Sequence, residues 1–457
     1  MAVPGSNGID IGPGGAVDLL GPTRRRIAVR LLPLLFILYI TNYLDRTSVA
    51  YAALGMTRDL GFSDSIFGLG AGIFFIGYVA LQIPGALLVE RWSARGTIAA
   101  TMIAWGSLTV LTALVHTPGQ LYLARFILGA AEAGFFPGVI VYLSHWFIQE
   151  DRAKATSNFM AAIPLSFVVG SPLAGWVLGR HWLAVAGWRW LFVVEGLPAI
   201  LLGAVAFFCL TDWPGQANWL SSDERRRIGQ KLSEERPANP RSLTMWQALR
   251  SRSILLLALS YFLLDFVFYS FAFWLPTILK RQSGFSDAHV GLLGAVPYVG
   301  GFIAMLINGW HSDRSRERRW HCAVPMFIAT GALLGVIRLP TSTAVTVAFF
   351  TVVGATTAAY LPVCFAIPTE ILSESAAAAA VGLVNAVGSV AGFAGPYAFG
   401  YLNTHTGSFS FGMALMTISA LACGLLIVLP RGAFQPVTRT PGVPQIELRA
   451  DNATSEP

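Results

Sequence analysis

Charge is scarce in this sequence. Only 12% of its 457 residues are Asp, Glu, Lys or Arg, whereas 54% are hydrophobic. Soluble domains carry about 25% charged residues, so this chain has too few charges to cover a solvated surface. The composition excludes a soluble globular protein and indicates an integral membrane protein.

Cysteine clusters and catalytic motifs are also missing. The four cysteines occur singly in or beside apolar stretches, without CxxC spacing or clustering with histidine. We interpret them as small packing residues, with no disulfide and no metal site. The sequence has no nucleotide-binding loop and no catalytic triad. We therefore expect no cofactor, and a membrane-embedded enzyme is disfavoured. The cysteines are Cys209, Cys322, Cys364 and Cys423.

Long apolar stretches are abundant instead. Twelve of them have about 20 residues, enough to cross a hydrocarbon core about 30 Å thick. They predict an all-α integral membrane protein with twelve transmembrane helices, numbered here as spans 1 to 12. The spans cover residues 31–55, 65–89, 97–116, 119–147, 155–179, 186–210, 253–279, 287–310, 321–340, 343–367, 378–401 and 409–429.

Basic residues are distributed unevenly between the two sides of this predicted bundle. Of 31 Lys and Arg residues, 23 lie in the two tails and in the loops from even-numbered to odd-numbered spans, whereas six lie on the opposite side. The positive-inside rule then places both termini in the cytoplasm, in a multi-pass protein of the cell inner membrane. The net charge of +7 follows from this topology, so we expect a lipid bilayer and no nucleic acid as partner.

The polar segments divide the chain into two six-span halves. In the linker, Ser222 is a candidate N-cap of a short surface helix, and the segment is otherwise interpreted as solvated. The arginines of the "TRRRIAVR" stretch before span 1 are expected to bind anionic lipid head groups. The predicted parts are a disordered cytoplasmic tail (1–23), the first half (24–211), the cytoplasmic linker (212–252), the second half (253–430) and a cytoplasmic C-terminal tail (431–457).

Two short cytoplasmic loops repeat one charge pattern, in which an acid is followed at once by arginine and by another arginine four residues later. Matching copies in two six-span halves indicate an internal repeat. The pattern resembles the loop signature of the major facilitator superfamily, Gly-x-Leu-x-Asp-Arg-x-Gly-Arg-Arg, which implies that the loops latch one conformation. The alternative is a pair of ordinary solvated turns. The residues are Glu90, Arg91 and Arg95 in the first copy, and Asp313, Arg314 and Arg318 in the second.

Four charged residues lie inside spans 1 and 4, where a charge near the bilayer centre costs about 2.5 to 3.5 kcal/mol on insertion scales. Arg125 and Glu132 share one face of span 4, about 10 Å apart. Gly129 lies between them and is expected to leave room for a ligand. Asp45 and Arg46 lie at an intermediate depth in span 1, so the four groups can converge if the two helices are neighbours.

Read together, the charged motifs resemble the anion:cation symporter branch of the major facilitator superfamily, and most of all its bacterial tartrate and phthalate transporters. The motifs are "NYLDR", "RFILGAAEAGFFPG", "GWRWLFVVEGLPA" and "PTEILSESAAAAAVGLVNAVGSVAGFAGPY". The resemblance implies proton-driven uptake of organic anions. It also implies that Arg46 and Arg125 contact a substrate carboxylate while Asp45 and Glu132 carry the coupling protons.

The chemistry of these side chains is compatible with those roles. A guanidinium offers a planar fork to a carboxylate and stays charged, so the proton must travel on a carboxyl group. The alternative is a permanent Asp45/Arg125 or Glu132/Arg46 ion pair that only holds helices together.

Polar residues in other spans are candidates for the remaining substrate contacts. Tyr43 and Tyr78 could supply hydroxyl donors, and Asn385 and Ser389 lie one turn apart on the glycine-rich face of span 11. Packing is the competing interpretation for each. Asp265 is the only acid inside a span of the second half, and its role stays open.

The sequence thus predicts a monomeric, proton-coupled importer of small organic anions that works by alternating access and is driven by the proton gradient. Tartrate-like dicarboxylates, sugar acids and aromatic carboxylates remain open as substrates. An exporter or an anion exchanger on the same fold is the alternative.

Overall fold

The computed structural model describes residues 20–235, 252–339, 342–371 and 374–429 and is almost entirely helical. Both predicted tails, apart from a few residues, and the second part of the linker lie outside the described residues. The α-helices are α1 (Gly21–Leu60), α2 (Asp64–Arg91), α3 (Ala94–Thr112), α4 (Pro118–Glu132), α5 (Phe135–Trp146), α6 (Gln149–Met160), α7 (Ala162–Leu178), α8 (Gly187–Cys209), α9 (Ser222–Glu234), α10 (Arg252–Ser283), α11 (Asp287–Ser315), α12 (Arg319–Arg338), α13 (Thr343–Ile371), α14 (Glu374–Thr406) and α15 (Phe409–Val428).

Every predicted span falls on a helix or on two consecutive helices, which confirms the predicted fold class. Within the described ranges, eleven helical stretches are long and apolar enough to cross a membrane. Predicted span 3 is α3, a threonine-rich helix of 19 residues that packs along α8 and α4. Hydroxyls of this helix bond to its own carbonyls, as Thr109 does to Trp105, so they can be buried at little cost.

Prolines break spans 4 and 5 into two helices each. Pro137 has no N–H to donate to the carbonyl of Ala133, and the helical hydrogen-bond pattern is interrupted between α4 and α5, where Ala133 and Gly134 keep right-handed helical backbone angles. Pro164 likewise leaves the carbonyl of Met160 without its donor, and α6 ends there. The first break follows directly after Glu132, which is therefore the last residue of α4.

The basic stretch before span 1 forms the N-terminal end of α1 and contacts protein. Arg24 donates two hydrogen bonds to Asp151 of α6, at 2.6 and 2.7 Å. Arg26 pairs with Glu224 of α9 at 3.0 Å, and the Arg30 guanidinium lies 5.1 Å from the centre of the Trp219 ring. Three of the four arginines thus contact protein, and their expected role at lipid head groups stays a prediction.

The first part of the linker is docked against the first half. Ser221, and not Ser222 as predicted, caps α9, where it forms a capping box with Glu224. Ile228 of α9 is buried, and the Trp219 ring stacks on the Trp146 ring with 5.5 Å between their centres. The segment was predicted to be solvated. The structure differs, because α9 has an apolar face among its many charged residues.

The two halves meet at one end of the bundle, which we call the distal end; it carries the α1–α2 turn and the start of α11. The halves approach at backbone distance there, since a Cβ added to Gly291 would lie 2.4 Å from the Ser171 carbonyl oxygen. Asp64 accepts hydrogen bonds from Arg281 and Asn403 of the opposite half. If the termini are cytoplasmic, as the arginine distribution predicts, the distal end is the outer end.

Candidate transport site

Arg46 and Glu132 form a buried ion pair between α1 and α4. The guanidinium Nη2 of Arg46 donates to Oε1 of Glu132, and both residues are less than 10% exposed. A buried carboxylate needs a cationic partner, and Arg46 supplies it.

Aromatic rings surround the Arg46 guanidinium. Its Cζ lies 4.9 Å from the centre of the Tyr43 ring, 5.0 Å from that of Tyr78 and 5.3 Å from that of Phe74. Cation–π contacts of this kind stabilise a desolvated guanidinium without occupying its hydrogen-bonding edge. Tyr43 and Tyr78, both predicted as substrate contacts, are thus brought to Arg46.

Arg125 is completely buried on α4, and its guanidinium lies 4.8 Å from the centre of the Phe74 ring. Within the described part of the chain, none of its three side-chain nitrogens has a hydrogen-bond partner, and neither carboxyl oxygen of Asp45 has one. Asp45 is nevertheless close enough to feel the charges of Arg125, Arg46 and Glu132. The four charged groups predicted from the sequence therefore converge, although Asp45 and Arg125 do not form the direct hydrogen bond of a closed ion pair.

The expectation for Gly129 is wrong. A Cβ added there would lie 1.9 Å from the carbonyl oxygen of Phe74 and 3.0 Å from the amide nitrogen of Tyr78. The glycine therefore allows the backbones of α2 and α4 to touch, and leaves no room for a ligand between Arg125 and Glu132. Gly77 serves the same crossing from α2, since its added Cβ would lie 2.0 Å from the Phe126 carbonyl oxygen.

The second half contributes Asp265, which is buried on α10 and faces the first half. Arg46 acts on its charge across the interface between the halves. Gly388 of α14 leaves the space that Asp265 fills, because an added Cβ would lie 2.4 Å from its Oδ2. Asn385 is half-buried, and Ser389 donates its hydroxyl to the Asn385 carbonyl at 2.9 Å. None of the contacts described brings Asn385 or Ser389 to the two arginines.

The two charged loops contact the ends of neighbouring helices. In the first loop, Asp212 at the end of α8 accepts from the Ser93 hydroxyl and from the Arg95 amide. The Glu90 and Arg91 side chains lie outside the described residues. Around the second loop, Arg319 donates to the Ile427 carbonyl at the end of α15. The two loops thus occupy equivalent places in the two halves.

Within the second loop, the ion pair joins Arg318 to Asp313 at 2.6 Å, and the Arg314 guanidinium lies 5.9 Å from the centre of the Trp310 ring.

Sequence reasoning did not single out Asp212, which caps the first loop, or Glu195, a third buried acid of the first half. The signal for Glu195 was present, since it is an acid within span 6.

Comparison with known proteins agrees with this architecture. The chain matches the Major Facilitator Superfamily over residues 35–346 and 257–450. The chain belongs to the major facilitator superfamily. Members of this superfamily are transporters and not enzymes, so the expectation of no enzymatic activity is confirmed.

Individual superfamily members are similar over nearly the whole chain. A protein of Agrobacterium vitis named "Putative tartrate transporter" is 40% identical over 429 residues, which is 91% of this chain and 96% of that protein. A protein of Pseudomonas putida named "Putative metabolite transport protein NicT" is 36% identical over 410 residues, 89% of this chain and 94% of that protein. The crystal structure of a D-xylose-proton symporter has a TM-score of 0.71 at 16% identity, covering 90% of this chain and 98% of that one, which supports the fold alone.

Proposed function

We propose that this membrane transporter takes up small organic anions together with protons. The observation that carries the proposal is the guanidinium of Arg125, which is fully buried and stacked on Phe74, and donates no hydrogen bond to any described residue. A desolvated guanidinium fork binds carboxylates in bidentate geometry. The name of the Agrobacterium relative supports an anion of the tartrate class as the first substrate to test.

The arginine–acid pairs suggest how anion and proton binding could be linked. Glu132 is paired with Arg46, and Asp45 lies within the field of Arg125. When a substrate carboxylate takes the place of Glu132 or Asp45 beside an arginine, the displaced acid loses the charge that favoured its ionised form. The acid then binds a proton more readily, so that anion and proton favour each other's binding.

The direct test is uptake into proteoliposomes that contain the purified protein. Tartrate, phthalate and a sugar acid are offered with the outside acidic, and proton entry is followed with a pH-sensitive dye trapped in the lumen. Arg46→Ala is compared with Arg58→Ala, because both remove an arginine from α1. Arg58 is exposed at the distal end and faces its neighbour Asp59, outside the buried cluster.

We expect an acidic outside to drive accumulation of at least one anion together with protons, and Arg46→Ala, but not Arg58→Ala, to abolish it. Accumulation driven by an acidic interior would instead indicate an exporter. Strict exchange without any effect of the pH gradient would indicate an anion exchanger. If none of the anions enters or exchanges, the proposed substrate class is wrong.

A further inference from the structure

Glu195 is a buried carboxyl group that the roles assigned above leave unused. It lies on α8 and is 4% exposed. Its Oε2 has no hydrogen-bond partner among the described residues. An ionised carboxylate in an apolar interior costs several kcal/mol unless a cation or several donors compensate it. A buried acid of this kind inside a membrane protein calls for a functional explanation.

The register between α1 and α8 places Glu195 next to the charged cluster. The two helices run antiparallel, and Trp188 packs on Gly55, where an added Cβ would lie 3.1 Å from the indole. Seven residues further along α8 is Glu195, and seven residues back along α1 is Ser48. Seven residues correspond to about 10 Å on either helix, so these two side chains face each other. Trp188 also donates to Asp59 at 3.0 Å, which fixes this register.

Asp45 is the titratable group that acts on Glu195. It lies one turn from Ser48 on α1, and the charges of the two carboxyls act on each other. The other helices packed on α8 within the described chain, α3 and α7, direct no charged side chain at Glu195. On its other side, Asp45 faces Arg125 and Glu132 of α4. Two carboxylates that share an apolar site do not both ionise readily, so the pair retains a proton.

The hydroxyls beside these acids have already donated their protons. Ser48 donates to the Asp45 carbonyl at 2.7 Å, and Thr109 donates to the Trp105 carbonyl at 3.0 Å. Both oxygens of Asp45 and Oε2 of Glu195 are thus left without a donor among the described residues, and this disfavours two ionised carboxylates side by side.

We propose that Glu195 is a second proton-holding group and shares one proton with Asp45 during the transport cycle. While Arg125 stabilises the Asp45 carboxylate, the proton resides on Glu195. When an anion engages Arg125, the O–H bond of Glu195 breaks and an O–H bond forms on Asp45, so the negative charge moves to Glu195. The inference rests on the proposed function, because it needs an anion at Arg125.

The test compares the pH profile of uptake in wild-type protein, Glu195→Gln and Glu195→Asp. Glutamine removes the second carboxyl, so Asp45 no longer titrates against a competing acid and holds its proton less readily. We expect the alkaline limb of the uptake profile to move to lower pH by about one unit or more in Glu195→Gln, and by less in Glu195→Asp. Counterflow of tartrate at acidic pH should stay within about twofold of wild type, since the arginines are untouched.

Asp59→Asn is the matched control, because it neutralises an acid on the same pair of helices at the distal end. It should leave the pH profile in place. An unshifted profile in both Glu195 variants would overturn the inference while wild-type proton-driven uptake still supports the proposed function. If Glu195→Gln does not fold, as judged by gel filtration, the smaller shift of the alkaline limb expected for Glu195→Asp is the result that tests the inference. Absence of any anion transport by the wild type would instead refute the proposed function.

Discussion

Arg46 of α1 pairs with Glu132, whereas Arg125, seven residues before Glu132 on its own helix, does not. The ion pair therefore connects two helices and leaves the second guanidinium available. Arg46 is thus bound to an acid that an anion would have to displace, whereas Arg125 can bind an anion directly.

Glu132→Gln should abolish proton-driven accumulation while retaining part of substrate exchange. Glutamine mimics the protonated acid, so the variant can bind an anion but cannot release a proton. Gradient-driven uptake and counterflow are measured in the same vesicles. Accumulation against a gradient by this variant would show that Glu132 is not the essential proton carrier, and Asp45 would become the leading candidate.

Arg125→Lys should be nearly as damaging as Arg125→Ala. Lysine keeps the charge but loses the planar fork and its stacking on Phe74. Loss of one charge-assisted hydrogen bond of about 1.5 to 3 kcal/mol corresponds to about a 10- to 100-fold loss in uptake efficiency. The concentration dependence of initial uptake rates measures this effect, and near wild-type transport by Arg125→Lys would contradict recognition by the fork.

The sequence located the four charged residues because charge inside an apolar span is exceptional, and helical periodicity put Arg125 and Glu132 on one face. It could not show which arginine pairs with which acid, since that depends on the approach of α1 to α4. Gly129 illustrates the same limit. A glycine on a helix face suits either a ligand or a neighbouring backbone, and only the position of α2 decides between them.

Glu195 and the basic stretch before span 1 show two further limits. The proximity of Glu195 to Asp45 follows from the α1–α8 register, which no local pattern encodes. The arginines of that stretch satisfy the positive-inside pattern whether they bind lipid or protein. Arg24 pairs with Asp151 only because α6 begins beside the N-terminal end of α1.

Asp313→Asn should slow transport with little change in substrate affinity. Asp313 pairs with Arg318 at 2.6 Å, but its side chain is 72% exposed at the loop. An exposed pair contributes about 0.2 to 1 kcal/mol, so we expect a decrease of up to about fivefold in maximal rate. Initial rates over a range of substrate concentrations separate the two parameters, and a large affinity loss at an unchanged maximal rate would place the loop at the substrate site.

Docking of α9 should weaken in acid. The Ser221 backbone N–H that donates to Glu224 lowers the pKa of this carboxyl, and Arg26 and Thr23 act in the same direction. Because the pKa is lowered in the docked state, its contribution is complete at neutral pH and is lost as the pH falls through that pKa. Hydrogen exchange of residues 222–234, corrected for intrinsic rates, should rise in acid.

Glu224→Gln should make that exchange independent of this titration and faster at neutral pH, by about fivefold if a cap of about 1 kcal/mol is lost. Glu234→Gln is the control, since within the described contacts Glu234 accepts only from Gln230 of the same helix. Equal protection at neutral and acidic pH in the wild type would contradict the role of Glu224.

Gly291→Ala should prevent full closure of the distal end and shift the protein toward the conformation that is open there. The added Cβ would lie 2.4 Å from the Ser171 carbonyl oxygen and 2.9 Å from the Gly175 Cα, both backbone atoms that no side-chain rotation can move. The two halves must therefore separate. Spin labels on the distal ends of the two halves should report longer distances in this variant, and the rate of transport should fall. Gly331→Ala is the control, because nothing lies within 4 Å of its added Cβ on α12. Unchanged label distances in Gly291→Ala would mean that helix movement within one half absorbs the methyl group.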